Sequence, residues 1–466
     1  MKYLLVNVPE KENLFKKTKI GLALPMMPPL SLASISSVIL EEGHQVKVLD
    51  MRISECPLKD LKKDILTFSP DYLGLTFTTP LTKEAFKIVS FSKSTKPNLI
   101  CISGGPHTSA LPAETLKDSQ IDIAVIGEGE QTIRDICKGM PLKKIKGIAY
   151  KEKGKIITNQ RRELILDMDS LPLPSWHLFD LKKYHTPRIS SKKNPVGPLE
   201  TSRGCVYGCV YCSKCTFGRC FRMKSVNRVL EEIEFMLKYG FREIHIMDDM
   251  FSTDIQRAKR ICEEIIRKKL IFPWTLINGI RVDRVDQELM NKLKKSGCYR
   301  VAFGVESGDD NVLKLINKGI NVKQIKNAFK LAHKAGIETI AFCMVGLPGE
   351  TKESMQKTID LMKEVKPTLP KVSILLPLPN TPLFDSWDKK GLILTKKWED
   401  YSFHSQIRVY KHPNLTNQEI NKYYRKFWRD ILFSPRYLIN RLIRDLKTGE
   451  LFYDIYYFMK SLRLGW

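Results

Sequence analysis

The sequence predicts an α/β protein: an N-terminal doubly wound, Rossmann-like sheet, then a partial (β/α)6 TIM-like barrel, then a helical C-terminal region. Two runs of short apolar strands alternating with helical patterns predict the first two regions. A polar, proline-containing stretch over residues 159–198 separates them, as is typical of a domain boundary. We therefore divide the chain into residues 1–140, a hairpin and linker at 141–195, a barrel at 196–376 and an aromatic, basic region at 377–466.

The composition is that of an ordinary globular protein. Apolar residues make up 43% and charged residues 27% of 466 residues, which is enough for two or three domains with full cores. The 77 Lys and Arg exceed the 51 Asp and Glu, and the net charge of +26 favours an acidic partner such as an anionic cofactor, anionic lipid or nucleic acid. Eleven cysteines without an extracellular spacing, and no secretory leader, predict a cytoplasmic location.

In the first region, five β-rich runs alternate with four helical patterns, which predicts a parallel sheet. Such sheets bind ligands at the carboxyl ends of their strands, where glycine lets the backbone approach a large ligand. Tight strand-to-helix turns are the alternative explanation of these glycines. The predicted strands are 3–8, 45–49, 72–77, 99–103 and 121–126, and the helices lie near 31–41, 59–68, 83–94 and 131–138. The candidate contacts are Thr76 and Thr78, Gly104 and Gly105, and Gly127, Glu128 and Gly129.

One segment of this region is apolar enough to resemble a membrane span. Residues 20–40 carry no charge, and an uncharged segment of this length could cross a bilayer. Pro25, Pro28 and Pro29 exclude a continuous helix in its first half. We therefore expect a proline-bearing loop followed by a buried helix from about Pro29, and no transmembrane helix. Further along, residues 147–158 predict a small hairpin with Lys153 and Gly154 at its turn.

From residue 196 a second alternation predicts the partial barrel, whose chemistry would sit at the carboxyl ends of its strands. The predicted strands are 199–202, 243–247, 275–278, 299–304, 339–345 and 372–376, and the helices lie near 226–239, 255–268, 287–296, 322–335 and 352–366.

Three cysteines follow the first of these strands at a C-x3-C-x2-C spacing: Cys205, Cys209 and Cys212. Thiolates are the ligands of iron–sulfur clusters, and three of them leave one iron open to a substrate. A structural zinc site would use four ligands. Cys215 and Cys220 follow closely, so zinc, free thiols or another cysteine triplet remain alternatives at this point.

The later strand ends of the barrel are polar. Charged and hydroxyl groups there could bind an amine, a ribose or a carboxylate through charge-assisted hydrogen bonds. Ordinary helix N-caps are the alternative for Asp248, Asp249 and Ser307. The residues are Asp248 and Asp249, Asn278 and Arg281, Glu306 and Ser307, and the run Gly346 to Glu350.

The end of the chain is aromatic and basic. Residues 414–466 hold twelve aromatic residues and ten Lys or Arg against five Asp or Glu. This pattern is compatible with a helical lid on the barrel mouth, with a helix at a membrane surface, or with stacking on single-stranded nucleic acid. We favour the lid, then the membrane surface, and regard nucleic acid as the least supported partner.

The barrel region resembles the radical S-adenosylmethionine (SAM) superfamily. The resemblance rests on Cys205, Cys209 and Cys212, with Tyr211 before the last cysteine, and covers roughly residues 196–376. Segments 245–251, 304–308 and 346–350 match the second-, fourth- and fifth-strand motifs of that superfamily in order.

The first region resembles the cobalamin-binding domain of the cobalamin-dependent subgroup, through residues 28–34, 104–107 and 127–130. The D-x-H-x-x-G motif that supplies a histidine to cobalt in methylmalonyl-type domains is absent from this sequence. We therefore expect His107 to be a turn residue rather than a cobalt ligand.

The resemblance implies a mechanism and roles for the site residues. Cys205, Cys209 and Cys212 would hold a 4Fe–4S cluster at which SAM is reductively cleaved to a 5′-deoxyadenosyl radical that attacks an unactivated carbon. Tyr211 would contact the adenine of SAM, Asp249 or Glu306 its amine or ribose, and Arg281 its carboxylate. Cobalamin would supply a methyl group. An external one-electron donor is implied.

The resemblance favours C-methylation of a small-molecule or lipid substrate. Oxidative cyclisation or carbon–carbon bond formation on a hydrophobic lipid or tetrapyrrole is the alternative, and a non-catalytic cluster- and cobalamin-binding sensor is a remote one. Peripheral contact with a membrane through the C-terminal region is compatible with either enzyme.

Overall fold

The computed structural model describes residues 1–9, 25–402, 408–449 and 451–463 of the chain. These residues form the two β/α regions and the helical end that the sequence predicts. The loop expected before the helix at Pro29 lies partly outside the described residues, whereas the helix itself begins at Leu30 and is largely buried.

The N-terminal region is a seven-stranded sheet in the order β2-β1-β3-β4-β5-β6-β7. The first five strands in this order pair in parallel, and β6 and β7 add an antiparallel edge. The order reverses between β1 and β3, the position where doubly wound sheets bind ligands. The strands are β1 (Lys2–Asn7), β2 (Gln45–Asp50), β3 (Tyr72–Thr76), β4 (Ile100–Gly104), β5 (Ile123–Val125), β6 (Ile148–Glu152) and β7 (Lys155–Thr158).

The predicted hairpin forms, but it joins this sheet instead of standing in the linker. Strand β6 pairs with β5 through Ile148, Ala149 and Tyr150, which are all buried. Strand β5 has only three residues and would be the open edge of the parallel sheet. Pairing with β6 covers this edge. The N-terminal sheet therefore extends to Thr158, beyond the boundary at residue 140.

Helices cover both faces of the sheet, as the alternation of buried side chains requires. On one face Tyr3 and Leu5 belong to a core that continues through Trp176 into the barrel, whereas Leu4 and Val6 belong to a separate core. The helices are α1 (Leu30–Glu41), α2 (Pro57–Phe68), α3 (Thr82–Thr95), α4 (Pro106–Ala110), α5 (Pro112–Lys117) and α6 (Glu130–Cys137).

The second region is a parallel six-stranded sheet in the order β15-β14-β13-β12-β11-β8. Its first strand lies three residues earlier than predicted, because Val196 to Leu199 pair with β11 and leave Thr201 and Ser202 to the site. The strands are β8 (Val196–Leu199), β11 (Glu243–Ile246), β12 (Trp274–Ile280), β13 (Cys298–Glu306), β14 (Glu338–Val345) and β15 (Leu369–Ile374). A short antiparallel pair, β9 (Ser202–Arg203) and β10 (Arg222–Met223), follows β8.

The helices of the barrel begin at polar caps, which explains their boundaries. Side chains of Ser225, Asp254, Asp286, Asn321 and Thr351 each accept a hydrogen bond from a backbone N–H of the first turn. The helices are α7 (Val226–Tyr239), α8 (Ile255–Arg267), α9 (Gln287–Lys295), α10 (Asp310–Leu315), α11 (Val322–Lys334) and α12 (Lys352–Val365).

The C-terminal region is helical, as predicted, with α13 (Pro382–Lys389), α14 (Asn417–Leu432), α15 (Pro435–Thr448) and α16 (Leu451–Arg463). Helix α14 packs on α12, β14 and β15, so it covers the flank of the barrel. Its fully buried Phe427 anchors this packing. Among the described residues, no helix combines the length and the apolar character needed to cross a bilayer.

Candidate functional site

The three cysteines lie in the loop between β9 and β10, at the carboxyl end of the barrel strands. Cys205, Cys209 and Cys212 are partly exposed and form no disulfide. The loop is fixed by neighbouring backbone: Val210 N donates to Ile316 O (3.1 Å), and Leu383 N donates to Val210 O (3.0 Å). The strand pair and these contacts bring the predicted thiols into one loop with a defined backbone.

The thiols are close enough to influence one another's ionisation. Burial raises the pKa of Cys212, the Lys214 ammonium opposes that shift, and the Cys209 and Cys205 thiols add to it. Burial would lower the pKa of Lys214, but Cys212, Cys205 and Asp249 together raise it. Three mutually interacting thiols beside an ammonium fit an anionic metal–sulfur group. Within the described ranges, no three His, Cys, Asp or Glu side chains are grouped to hold a single metal ion.

The two following cysteines have different surroundings. Cys215 is buried, accepts a hydrogen bond from the Ser213 hydroxyl (3.0 Å), and its Sγ donates to the carbonyl of Pro106 (3.4 Å) in the N-terminal region. Cys220 is exposed. Cys215 is therefore part of the boundary between the two regions.

The two aspartates after β11 have separate tasks. Asp248 is buried and accepts hydrogen bonds from Thr201 N (2.6 Å), Thr201 Oγ1 (2.5 Å) and Ser202 Oγ (2.6 Å), so it holds the chain that leads into the cysteine loop. Burial raises the pKa of Asp248, although the hydrogen bonds from these donors act to lower it. Asp249 is exposed and accepts from Gly204 N (3.2 Å). Neither aspartate caps a helix, because α8 begins later, at its cap Asp254.

Arg281, after β12, is held by its surroundings. Its guanidinium donates to Asp283 (2.8 Å) and to the carbonyls of Lys318 (2.7 Å) and Gly319 (2.9 Å), and it stacks on the Tyr207 ring at 3.5 Å. A contact with the carboxylate of SAM would have to replace one of these partners. The predicted contact stays a prediction, and the observed role is to brace Tyr207. Asn278 donates to the carbonyl of Met247 (2.7 Å).

Glu306, at the end of β13, connects the barrel to the cysteine loop. It is buried with φ +63°, accepts from the Lys318 ammonium (2.6 Å), and is hydrogen-bonded by the Tyr211 hydroxyl. Burial and the Glu306 carboxylate raise the pKa of Tyr211 well above its usual range. Burial would lower the pKa of Lys318, but Glu306 and Cys209 raise it.

Ser307 does not cap a helix either, since Asp309 caps α10. Its hydroxyl accepts from Asp309 N at 3.2 Å and lies 3.5 Å from Thr358 Oγ1, inside the turn.

The turn after β14 surrounds a buried carboxyl. Glu350 Oε2 accepts from Gly346 N (2.6 Å) and Leu347 N (2.9 Å), whereas Oε1 has no hydrogen-bond partner among the described residues. Burial raises the pKa of Glu350 to about 8. Gly346 has φ +82°, and a Cβ there would lie 2.8 Å from the Tyr410 hydroxyl. His412 lies 2.9 Å from Leu347 O, so the C-terminal region closes this turn.

The carboxyl edge of the N-terminal sheet is built mainly from backbone. Thr76 lies opposite Gly104 in the β3–β4 register, and Thr78 is exposed. Gly105 has φ +90°, and a Cβ there would clash with Thr76 Oγ1. At Gly104 the nearest atom to an added Cβ is 3.9 Å away. Backbone without side chains at this edge fits a large, flat ligand such as cobalamin.

The third turn of this edge binds the barrel. Gly127 has φ +85°, and a Cβ there would lie 3.5 Å from Thr216 O, in the cysteine loop. At Gly129 an added Cβ would lie 3.0 Å from Ile35. Glu128, predicted as a cofactor contact, is buried and accepts from Arg203 (2.8 Å) and Arg222 (2.7 Å).

A second glutamate strengthens the same junction. Glu130 accepts from Arg203 (2.6 Å), and burial, which would raise the pKa of Glu130, is outweighed by that guanidinium, so the pKa is lowered. Arg203 also pairs with Glu200 (2.6 Å). Arg203 and Arg222 are cross-strand partners at the base of the cysteine loop. The two strand-end edges therefore face each other across a buried carboxylate–arginine network.

His107 is buried in the short helix α4, where the sequence predicts a turn residue. Its Nδ1 lies 3.3 Å from Thr79 Oγ1, and its ring packs against Phe77 and Trp398. Burial lowers the pKa of His107 to about 4. The turn expected at His107 is therefore a short helix, and the expectation that His107 is not a cobalt ligand stays a prediction.

Sequence reasoning missed several residues that this site uses. Arg203 stands two residues before Cys205, and Glu130 ends the segment 127–130, but only the fold reveals that they pair. Lys318, Arg222 and Tyr410 carry no local signal, because each acts on a residue distant in the chain.

Comparisons with known proteins agree with this geometry. The family model described as the Radical SAM superfamily matches residues 199–362, and the B12 binding domain model matches residues 21–137. A protein of Pyrococcus horikoshii named an uncharacterized methyltransferase is 34% identical over 446 residues, covering 94% of each chain. The anaerobic magnesium-protoporphyrin IX monomethyl ester cyclase of Rubrivivax gelatinosus is 27% identical, over 92% of this chain and 80% of the cyclase.

A solved structure shares the fold of this chain. The cobalamin-dependent S-adenosylmethionine radical enzyme OxsB, with aqua-cobalamin and S-adenosylmethionine bound, superposes with a TM-score of 0.74 at 21% identity. The match covers 98% of this chain and 72% of OxsB. The fold class predicted from the sequence is confirmed.

Proposed function

The chain belongs to the radical SAM superfamily and carries a B12 binding domain, and we propose that it methylates an unactivated carbon. It is a cobalamin-dependent radical SAM enzyme, and its cofactors are a 4Fe–4S cluster, SAM and cobalamin. When bound, the cluster and SAM supply hydrogen abstraction and cobalamin supplies a methyl group. The proposal rests on one observation: the cysteine loop and the N-terminal sheet edge face each other.

Cys205, Cys209 and Cys212 are the proposed cluster ligands, since they are free thiols held in one loop. Asp249 and Tyr211 are the proposed SAM contacts nearest in the fold to the thiols, because Asp249 accepts from Gly204 N and Tyr211 precedes Cys212 in the loop. The other proposed SAM contacts are Asp248, Arg281, Glu306, Ser307 and Gly346. The proposed cobalamin contacts are Thr76, Thr78, Gly104, Gly105, Gly127, Glu128 and Gly129.

The chain's own contribution is to position and to exclude water. Asp248 holds the entry of the cysteine loop, and Glu306 holds Tyr211 against it. Glu128 and Glu130 keep the loop next to the N-terminal sheet edge through Arg203. Fixed distances between groups can lower a barrier by several kcal/mol, since the entropy of alignment is lost during folding instead of during the reaction.

The net reaction of the proposal balances as follows. The substrate carbon–hydrogen bond becomes a carbon–methyl bond. One SAM takes the hydrogen and leaves as 5′-deoxyadenosine and methionine, and a second SAM gives its methyl group and leaves as S-adenosylhomocysteine. An external donor supplies two electrons, one at a time.

One anaerobic assay tests the proposal. The protein is reconstituted with iron, sulfide and cobalamin, then given SAM, a reductant and candidate substrates, small polar and lipid-like. Both 5′-deoxyadenosine and S-adenosylhomocysteine are expected with a true substrate. A wild-type protein that forms no 5′-deoxyadenosine, or a Cys205→Ala variant that forms as much, contradicts the proposal.

Oxidative cyclisation is the second candidate, supported by the cyclase similarity over 92% of the chain. It differs in its products, because ring closure releases 5′-deoxyadenosine without S-adenosylhomocysteine. Its substrate would be hydrophobic, such as a lipid or a tetrapyrrole. A non-catalytic sensor would release neither product.

We also propose a cytoplasmic location, with the C-terminal region in peripheral contact with a membrane and no nucleic-acid partner. The membrane contact is supported by the net charge of +26 and by exposed apolar side chains on α15 and α16.

A further inference from the structure

The last two helices carry their apolar side chains on the outside. On α15 the side chains of Leu438, Ile439, Leu442, Ile443 and Leu446 are all between 46% and 63% exposed. On α16, Phe452 (84%), Ile455 (51%) and Met459 (50%) follow at helical spacing. Each helix therefore presents a continuous apolar face away from the barrel. We call these eight residues the apolar face.

Charged side chains of the same helices pair on the inside. Arg441 pairs with Asp454, and Arg444 pairs with Asp445 (2.6 Å) and Asp454 (3.3 Å). Asp445 is 2% exposed. In a helix pair that faces water, the charged groups point outward and the apolar groups inward, and here the arrangement is reversed. A contiguous exposed apolar surface of this kind marks an interaction site.

A basic cavity adjoins this helix pair. It has a volume of about 500 Å³ and lies between α14, α15 and the amino ends of β14 and β15. Its charged lining consists of Lys363, Lys366, Arg441 and Arg444 with one carboxylate, Glu338, and His333 also lines it. Lys366 makes no ion pair with any residue that the structure describes. Acceptors with negative charge, such as a phosphate, match this lining.

From this arrangement we propose that α15 and α16 dock on an anionic lipid surface, with the apolar face in the lipid and a phosphate headgroup at the cavity. Charge selects this occupant over a second copy, since each copy carries +26 and would repel the other. Nucleic acid would need cations on the contact face, whereas the eight residues of the apolar face carry none and Arg441 and Arg444 pair with Asp454 and Asp445.

The docking site lies at the opposite end of the barrel strands from the cysteine loop. The cavity is lined by Glu338 and Thr368, at the amino ends of β14 and β15, whereas the loop sits at the carboxyl ends. Binding through this base leaves the cysteine loop and the N-terminal sheet edge uncovered by the lipid. The inference is therefore independent of which carbon the enzyme modifies.

Flotation of the full-length protein with lipid vesicles tests the proposal. The unmodified chain is expected to float with phosphatidylcholine vesicles containing phosphatidylglycerol, and much less with phosphatidylcholine alone or at high salt. The double variant Leu442→Glu, Ile455→Glu is expected to bind at least about tenfold more weakly, since it places charges in the lipid-facing side of both helices. Lys366→Glu is expected to weaken the preference for anionic vesicles.

Leu166→Glu is the matched control. Leu166 is 75% exposed and follows Ile165, which contacts Glu128 near the cysteine loop, at the other end of the barrel. This control and the double variant should keep the wild-type melting temperature, and the control should float like the wild type.

Hydrogen exchange of the unmodified chain gives an independent measurement. Protection over residues 434–449 and 451–463 on adding anionic vesicles is expected. The proposal is overturned if the wild type does not float with anionic vesicles, or if the double variant floats as well as the wild type. It is equally overturned if soluble glycerol 3-phosphate, without vesicles, protects both helices as strongly as anionic vesicles do. A concentration-dependent dimer, or an oligonucleotide complex, that the double variant abolishes would assign the face to another partner.

Discussion

The two sheet edges that face each other at the domain boundary are built in opposite ways. The barrel edge is crowded with charges that are already paired: Asp248 accepts three hydrogen bonds and Glu306 pairs with Lys318. The N-terminal edge has few side chains: Thr78 is exposed, and Gly104 leaves space for a Cβ. We call it the bare edge.

This difference separates two kinds of ligand site. A cluster and SAM are small and charged, so the barrel edge must hold a loop and its polar groups rigidly in place. A macrocycle is broad, so a flat backbone edge serves it better than side chains do. Glu128 is a residue of the N-terminal edge, but its side chain accepts hydrogen bonds from Arg203 and Arg222 of the barrel region. It therefore joins the two edges.

The largest effect is expected from removing a thiol of the cysteine loop. Cys209→Ala should lower the iron content after anaerobic reconstitution by at least about tenfold, because two remaining thiolates hold a 4Fe–4S cluster poorly. Iron and sulfide analysis with the visible absorbance spectrum measures this. Cys220→Ala is the control, since Cys220 is exposed and follows the triplet. Equal iron in both variants would refute the assignment of the ligands.

The second effect concerns the residue that joins the edges. Glu128→Ala removes an acceptor shared by Arg203 and Arg222 and leaves both guanidinium groups buried without it. Breaking a buried ion pair on one side costs about 3–5 kcal/mol, which chemical unfolding would measure. In Glu163→Ala, which breaks an exposed pair with Lys146, the unfolding midpoint should stay at the wild-type value. A Glu128 variant as stable as the wild type would mean that the junction is held elsewhere.

The sequence predicted the parts of this boundary that depend on local pattern. Strand and helix alternation gave both sheets, and the spacing of Cys205, Cys209 and Cys212 gave the loop. The partners of Glu128 and Glu306 could not be predicted, because Arg203 and Lys318 meet them only when distant segments pack. Asp248 and Ser307 had plausible roles as ligands or caps, and the structure uses both to brace turns. The sequence predicted the hairpin but placed it in the linker. The residues of the hairpin carry no local signal that β6 pairs with β5.

A third test uses Glu350, a buried carboxyl of the barrel edge that makes no ion pair with any described residue. The pKa of Glu350 is raised to about 8 by burial, above its value of 4.5 in an unfolded chain. The folded state therefore holds the proton more tightly, so this contribution to stability is full below pH 4.5 and is lost as the pH rises through 8. Between pH 6 and pH 8 the free energy of unfolding should fall by about 2 kcal/mol for this reason.

Glu350→Gln removes the titration and should flatten this part of the pH profile, as measured by chemical unfolding at a series of pH values. The amide can still accept from Gly346 N and Leu347 N. Glu353→Gln, at an exposed carboxyl in the first turn of α12, should follow the wild-type profile. If Glu350→Gln also follows the wild type, Glu350 is charged in the folded protein at these pH values.

The smallest effect, and the one that probes the bare edge directly, comes from two neighbouring glycines. Gly105→Ala places a Cβ against Thr76 Oγ1 at φ +90° and should cost about 1–2 kcal/mol of stability. Gly104→Ala has space for its Cβ and should leave stability within about 0.5 kcal/mol. Gly104→Leu should keep the fold but weaken hydroxocobalamin binding in a spectroscopic titration, because its side chain fills the space that the bare edge leaves. Unchanged cobalamin affinity in Gly104→Leu would move the cofactor away from β4, towards the β1–β3 switch point of the same sheet.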